Sequence, residues 1–362
     1  MRSLTLITVI TVAATWTPVS SPNAPGSNEL LAAAASASSH VWAVGRVVSS
    51  TSTFRTLVLR HNGTAWTAVA HPRANGSAMF RAVDAPSNTD TWAAGFQQGG
   101  QRTLLQHWDG TAWTTVASPN PNPNGLNELR GLASVQGSLW AVGSYSRPNA
   151  NYGSVKLIAQ RSSSGAWRTF ASPAITPEDF LEAVDAAGPT NAWSVGWGST
   201  SPFGGVAVAV TLRWNGSSWV SVPLPQPSQV MLFGVEALAP NNVWAVGHTY
   251  PGGPHWIPAI YHWNGSAWSR ATIPAFPNGG QLRDIVALSP SNVYAVGLDG
   301  EGLNAASLVL HWDGTAWTRE TTAGPKLYGA AAVSPSTVWG VGYGYNQNVG
   351  ANQTATIRTA NG

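Results

Sequence analysis

The chain has 362 residues, no cysteine, a formal net charge of +3 and only 9% charged residues. The absence of cysteine excludes a disulfide framework and thiolate chemistry. The basic residues are spread along the chain without a Lys/Arg run, which argues against nucleic acid as a partner.

The first predicted element is the N-terminal segment, residues 1–14, which has two interpretations. Apolar Leu4–Val12 follows a basic start and precedes Ala13-Ala14, a pattern typical of a short signal peptide. The same stretch is dense in β-branched residues, so an extra strand is the alternative. It is too short to cross a bilayer, and no membrane span is predicted. The signal-peptide interpretation favours an extracellular or cell-surface location.

The rest of the chain is built from a repeat of about 50 residues, which indicates a repeat architecture. Its most regular phrase is Trp-Ala-Val-Gly or a close variant. The seven copies begin at Trp42, Trp92, Trp140, Trp193, Trp244, Tyr294 and Trp339. A second phrase, His-Trp-Asp-Gly-Thr-Ala-Trp, follows most copies and is cleanest at His107–Trp113 and His311–Trp317.

Each repeat predicts four short strands. An apolar run such as Leu282–Leu288 forms the first, and a Pro/Ser/Asn turn leads to the second, Val-Trp-Ala-Val-Gly. A Leu-rich segment such as Thr103–Trp108 forms the third. The following Asp-Gly or Asn-Gly predicts a two-residue hairpin turn with positive φ at both positions, and an alternating fourth strand begins at residues such as Trp113.

Seven such units predict an all-β, seven-bladed β-propeller of four-stranded antiparallel blades. The fourth strand of the last unit is missing at the C-terminus, but residues 15–23 match residues 112–120, where that strand occurs in the second unit. The N-terminal strand is therefore expected to close the last blade, three strands plus one. We expect one domain, residues 15–362, with blades at about 29–70, 79–117, 127–172, 179–223, 231–274, 281–322 and 326–362 plus 15–20.

Most of the 19 tryptophans occupy fixed positions of the repeat. One large aromatic ring per strand can fill the interface between neighbouring blades, so these residues are predicted to be structural. Two tryptophans, Trp197 and Trp256, lie outside the repeat positions.

The two phrases resemble the repeat of secreted bacterial β-propeller proteins, many of them uncharacterised, over nearly the whole chain. The turn also loosely resembles the Asp-box of sialidase-like propellers. It departs from that box because Asp109 and Gly110 are adjacent and His107 stands where the box has a hydroxyl residue. Sialidase activity is therefore not implied.

Two groups of residues could carry chemistry in the propeller. The carboxylates Asp84, Asp185, Glu236 and Asp284 lie on first strands, which are innermost, and are expected to pair with Arg81, Arg130 and Arg283 of the same strands. His107, His262 and His311 share one repeat position with arginines of other blades, which indicates a structural donor. No catalytic residue, metal ligand or cofactor is predicted.

The loops between the second and third strands vary, and variable loops on a rigid scaffold commonly carry function. By symmetry all seven emerge on one face. Those of blades three to five are rich in aromatic residues, which suggests a binding surface. The candidate ligand-binding residues are Tyr145, Tyr152, Trp197, Phe203, Tyr250, His255 and Trp256.

Three functions remain open. The favoured one is a non-catalytic extracellular binding or scaffold propeller that recognises a glycan or a protein through these loops. The first alternative is a secreted glycan-active hydrolase or lyase that uses channel-side carboxylates. An enzyme should bring at least two carboxylates with raised pKa into one pocket, whereas a binder should expose aromatic rings around a shallow surface. The second alternative is a structural unit that self-assembles; the oligomeric state is not predicted.

Overall fold

The computed structural model describes residues 15–49, 53–148, 153–201, 204–302, 305–322, 324–334 and 336–360. Residues 1–14, with their two interpretations, lie outside this part of the chain. The described residues form 28 β-strands in seven four-stranded antiparallel sheets, which confirms the seven-bladed propeller. None of the described segments is a helix long and apolar enough to cross a membrane.

The chain order of the strands follows the blades. The first strand, β1 (Thr15–Val19), belongs to the last blade. Blade 1 contains β2 (Ser27–Ala37), β3 (His40–Val48), β4 (Phe54–His61) and β5 (Trp66–Ala68). Blade 2 contains β6 (Met79–Ser87), β7 (Asp90–Gln97), β8 (Arg102–Trp108) and β9 (Trp113–Thr115). Blade 3 contains β10 (Asn127–Val135), β11 (Ser138–Ser146), β12 (Ser154–Arg161) and β13 (Trp167–Thr169).

The remaining blades repeat this order. Blade 4 contains β14 (Glu178–Gly188), β15 (Asn191–Ser199), β16 (Ala207–Trp214) and β17 (Trp219–Ser221). Blade 5 contains β18 (Val230–Ala239), β19 (Asn242–Thr249), β20 (Ile257–Trp263) and β21 (Trp268–Arg270). Blade 6 contains β22 (Gly280–Ser289), β23 (Asn292–Asp299), β24 (Ala306–Trp312) and β25 (Trp317–Arg319). Blade 7 contains β26 (Leu327–Ser334), β27 (Thr337–Asn346) and β28 (Ala351–Ala360), followed in the sheet by β1.

The ring closes as the sequence predicts. Strand β1 pairs antiparallel with β28, and the register joins Trp16 to Thr359 and Val19 to Thr356. The indole of Trp16 packs edge-on against Tyr294 of blade 6, with ring centroids 5.8 Å apart. The last blade is therefore held by both ends of the described chain, which closes the ring.

Tryptophans fill the interfaces between blades, again as predicted. Trp193 of blade 4 lies 5.0 Å from Trp263 and 5.1 Å from Trp268 of blade 5, measured between ring centroids. Trp42 meets Trp108 and Trp113 in the same way at the interface between blades 1 and 2. Buried edge-to-face rings of this kind contribute about 0.5–1.5 kcal/mol per pair beyond their buried area.

The turn between the third and fourth strands differs from the prediction. Trp108 pairs with Trp113, so the connection is a four-residue loop rather than a two-residue hairpin. Only Gly110 has a positive φ, of 99°; Asp109 does not. The Asp109 Oδ1 atom accepts hydrogen bonds from the amides of Thr111 and Ala112, at 2.8 and 2.9 Å. The Thr111 hydroxyl also donates to this atom, and that bond together with the two backbone bonds lowers the pKa of Asp109 to about 2. The backbone bonds let an ordinary φ suffice at this position.

Candidate binding site

A β-bulge near the start of every innermost strand positions the candidate site. In each blade the register between the first two strands shifts by one residue where the glycine of Trp-Ala-Val-Gly meets the first strand. A Cβ added to any of these glycines would lie only 1.9–2.0 Å from a carbonyl oxygen of the first strand, so only glycine fits there. The seven glycines are Gly45, Gly95, Gly143, Gly196, Gly247, Gly297 and Gly342.

The extra residue of each bulge lines one mouth of the central channel. These seven positions are not uniform: they carry three arginines, one acidic, two aromatic and one aliphatic side chain. We call them the bulge ring; they are Leu31, Arg81, Arg130, Glu182, Phe233, Arg283 and Tyr328. All seven line the central cavity, which has a volume of about 540 Å³. A bulge that re-aims one side chain is common next to functional sites.

Ion pairs connect the bulge ring across blades 2 to 4. Arg81 binds Glu128, and Arg130 binds both Glu128, at 2.9 Å, and Glu182. Burial lowers the pKa of Arg130, but the carboxylates of Glu182 and Glu128 outweigh it and raise that pKa. The charges of these two arginines are therefore compensated inside the protein.

Aromatic stacks extend from the other half of the ring. Phe233 stacks on His248, and His248 stacks on Trp256, with centroid distances of 5.3 and 5.1 Å. On the next blade but one, Tyr328 stacks on Tyr343 at 4.8 Å. Burial and, secondarily, Arg283 lower the pKa of His248 to about 4, so this histidine is neutral at physiological pH.

The structure brings some of the predicted site residues together. Trp256 and Tyr250 are exposed, at 41% and 46% of their surface. His255 is half-buried, with its Nδ1 atom 3.6 Å from a carboxylate oxygen of Glu301. All three residues lie on one loop of blade 5, beside the stack on Phe233.

The other predicted residues lie differently. Trp197 is half-buried: its ring stacks on Phe180 at 4.6 Å, and its Nε1 atom donates to Glu182 at 3.0 Å. It thus supports the bulge ring from blade 4. Tyr145 packs against the core between blades 2 and 3. The two remaining predicted residues, Phe203 and Tyr152, lie outside the described residues.

The channel carboxylates line the same cavity as the bulge ring, but their predicted pairing with arginines of the same strands is wrong. Each binds the backbone of the next blade instead. Asp84 accepts from Ser134 N at 2.7 Å, Asp185 from Ala237 N at 2.7 Å and Asp284 from Ala330 N at 2.9 Å. Glu236 makes the corresponding contact with the Ala287 backbone. These bonds satisfy amides on the open edge of an innermost strand, which explains the carboxylates structurally.

The pKa values of these carboxylates are raised. Burial raises the pKa of Asp185 to about 6 and that of Asp284 to about 7. Burial also raises the pKa of Glu236, and the nearby carboxylates of Asp185 and Asp284 raise it further. Carboxylates with raised pKa values in one cavity are what the enzyme hypothesis requires. The site therefore contains both this feature and the exposed aromatic rings expected of a binder.

The shared histidine position is structural, as predicted. His107 stacks on Trp92 at 4.0 Å, and its Nε2 atom lies 2.8 Å from a carboxylate oxygen of Asp90. His262 repeats the arrangement on blade 5 with Trp244 and Asn242. Within the described ranges no three His, Asp or Glu side chains come together in a way that could hold a metal ion.

Sequence reasoning missed the bulge ring as a unit. The sequence predicts Arg81, Arg130 and Arg283 only as partners of the channel acids, and Phe233 and Tyr328 are not among the predicted site residues. One signal was available: in the aligned repeats, the residue after the conserved Leu or Phe of the first strand varies strongly in a chain that otherwise repeats.

Together the seven blades and the 3+1 closure place the chain in the class of seven-bladed β-propellers. No protein-family model matches it, and no curated protein sequence matches it either. Similar solved structures exist. YCF48 bound to a D1 peptide superposes with a TM-score of 0.59 at 15% identity, covering 97% of this chain and 100% of that one.

Two further structures are similar to the chain. SapL1 lectin in complex with alpha methyl fucoside gives a TM-score of 0.53 at 14% identity, covering 83% of this chain and 98% of the lectin. Trypanosoma rangeli sialidase in complex with 2,3-difluorosialic acid gives 0.50 at 11% identity, covering 96% of this chain but only 59% of the sialidase. At such identities the similarity establishes the fold alone.

Proposed function

We propose that the protein is a non-catalytic binding propeller that recognises a glycan on the face formed by the bulge ring and the loops between second and third strands. The observation that carries the proposal is the stack from Phe233 through His248 to exposed Trp256. This stack connects the bulge ring at the mouth of the channel to an aromatic ring that is exposed to solvent. Aromatic faces of this kind suit the apolar faces of sugar rings.

Two further observations support a binding role. Aliphatic, basic, acidic and aromatic side chains occupy the bulge positions although the glycines beneath them are constant, so the scaffold is uniform and its mouth is varied. Among the similar folds, YCF48 was solved with a peptide and SapL1 with a fucoside. Both are propeller-like structures solved with a bound ligand.

A glycan array tests the proposal. The purified parent protein should give a saturable signal that Trp256→Ala abolishes while its unfolding midpoint stays unchanged, because the indole is exposed. Asp109→Asn is the matched control: it lies in an exposed turn away from the loops, and asparagine occurs at the same repeat position as Asn62. A blank array, or a signal that Trp256→Ala retains, would contradict glycan binding at this face. A protein ligand would then take its place as the candidate.

A second function is favoured by one observation, the raised pKa values of Asp185, Glu236 and Asp284 in the channel. A carboxyl group with a pKa near neutrality can serve as a general acid in glycoside cleavage. Against it, each of these groups is already engaged by a backbone amide of the neighbouring blade. Hydrolysis of an array-positive glycan, lost in the double variant Asp185→Asn/Glu236→Gln, would establish the enzyme instead.

The proposal places the protein outside the cell or at its surface, because residues 1–14 resemble a signal peptide. Cell fractionation tests this location. Recovery of the protein in the medium or on the cell surface would support it, and recovery in the cytosol alone would contradict it.

A further inference from the structure

Arg283 occupies an unusual position in the bulge ring. Its guanidinium carbon lies 4.4 Å from the ring centroid of Phe233 and 5.6 Å from that of Tyr328, which belong to the blades on either side. The cation is thus held between two aromatic faces at the mouth of the channel. Planar guanidinium groups stack well on such faces, and each contact contributes about 0.5–2 kcal/mol.

The charge of Arg283 is not compensated within the described part of the chain. Arg46, Arg81 and Arg130 each form a salt bridge with a glutamate, but no carboxylate lies within salt-bridge distance of Arg283. Its Nη2 atom donates to the carboxamide oxygen of Gln281. Its Nε atom is buried and has no hydrogen-bond partner.

A buried cation without a counter-ion is costly. Burial lowers the pKa of Arg283, and Glu182 and the hydroxyls of Tyr328 and Tyr343 counteract this only in part. Leaving a buried donor unpaired costs about 1–3 kcal/mol of folding free energy, and more when the group is charged. An anionic ligand group that accepts from the Nη atoms of this guanidinium would compensate its charge.

The cavity beside Arg283 decides where such a group could lie. Its volume of about 540 Å³ falls in the range of small-molecule sites and is large enough for a sugar residue. Farther along the channel the carboxylate of Asp185 repels an anion. The anionic group therefore stays at the rim, and the remainder of the ligand extends outward along Phe233, His248 and Trp256.

We infer that the glycan bound at this face is acidic and that Arg283 binds its carboxylate, as in an oligosaccharide containing uronate. A planar carboxylate matches the two parallel N–H donors of a guanidinium. This inference rests on the proposed function, since it specifies the ligand of the same face.

The test compares charged and neutral forms of the same glycans. The probes are galacturonate, glucuronate and mannuronate oligosaccharides, each beside its counterpart in which the carboxyl groups are reduced to alcohols. Calorimetry on the parent protein should give at least tenfold tighter binding for one uronate than for its reduced form. Arg283→Gln should remove that preference, so that the variant binds a uronate no more tightly than its reduced form.

Two variants control the result. Arg270→Gln removes the same charge at an exposed position of β21 and should retain the preference. Arg283→Lys keeps the charge but loses the two parallel donors, so it should retain only part of the preference; it also serves if Arg283→Gln does not fold. Equal binding of charged and reduced glycans by the parent protein, or an equal loss for both in Arg283→Gln, would overturn the inference.

The same experiment separates this inference from the proposed function. If only neutral or sulfated glycans bind and Trp256→Ala abolishes their binding, the glycan-binding face stands and the carboxylate inference fails. If no glycan of any kind binds, both fail.

Discussion

The carboxylate of Asp284 is predicted to destabilise the folded protein at neutral and alkaline pH. Burial raises its pKa from an ordinary value of 3.8 to about 7. The group therefore binds its proton more tightly in the folded chain than in the unfolded chain, so folding is penalised when it is charged. The penalty is complete above the folded-state pKa and is relieved as the pH falls through that value towards the ordinary one.

The size of the penalty follows from the two pKa values. At about 1.4 kcal/mol for each unit between them, it reaches about 4 kcal/mol. Water in the open channel screens the charge, which reduces the expected effect to about 2 kcal/mol. Asp284→Asn removes the charge and keeps an oxygen that can accept the Ala330 N–H. The variant should therefore be more stable than the parent protein by about 2 kcal/mol near pH 8, and its advantage should shrink near pH 5.

Urea unfolding of both proteins at the two pH values measures this difference. Several histidines have lowered pKa values and lose stability in acid, but both proteins contain them, so their effect cancels. Asp109→Asn provides the control, because that carboxylate is exposed, its pKa is lowered, and its removal should give no gain near pH 8. An Asp284→Asn protein that is less stable than its parent near pH 8, or whose advantage does not change with pH, would refute the reasoning.

Two further substitutions test the packing that supports the site. Gly247→Ala should cost at least about 2 kcal/mol, because its Cβ would lie 1.9 Å from the Met231 carbonyl oxygen, whereas Gly253→Ala meets no atom within 4 Å and should have little effect. Trp193→Ala should cost about 3–5 kcal/mol by opening a cavity between blades, whereas exposed Trp256→Ala should stay within about 0.5 kcal/mol. Thermal and urea unfolding measure both pairs; equal losses within either pair would contradict the assignment.

Much of the fold follows from the sequence because the repeat carries it. The period sets the number of blades, and the match of residues 15–23 to an internal fourth strand predicts the closure seen between β1 and β28. The predictions that are wrong concern local geometry that depends on individual side-chain atoms. The loop at Asp109 has four residues because the side chain itself accepts the amides, which a dipeptide rule does not represent.

The candidate site is less predictable. Exposed aromatics can be located on variable loops, and Trp256 is one of them. Whether a ring faces solvent depends on its cross-strand neighbour: Trp197 turns onto Phe180 because the two residues pair across β14 and β15. The isolation of Arg283 depends on which side chains the neighbouring blades contribute to the rim. These neighbours come from different blades, so they can be identified only in the closed ring.

The central claim, that ligand binds on the face of the bulge ring, can be tested by blocking one face at a time. Since the chain has no cysteine, one introduced thiol can be coupled selectively to a bulky polyethylene glycol maleimide. Gly253→Cys places the polymer on the loop of Trp256, and Ala112→Cys places it on an exposed turn at the opposite end of the blades. Glycan-array binding should be lost only when the polymer is attached at position 253. Binding that survives this modification, or that is lost on modification at position 112, would contradict the account.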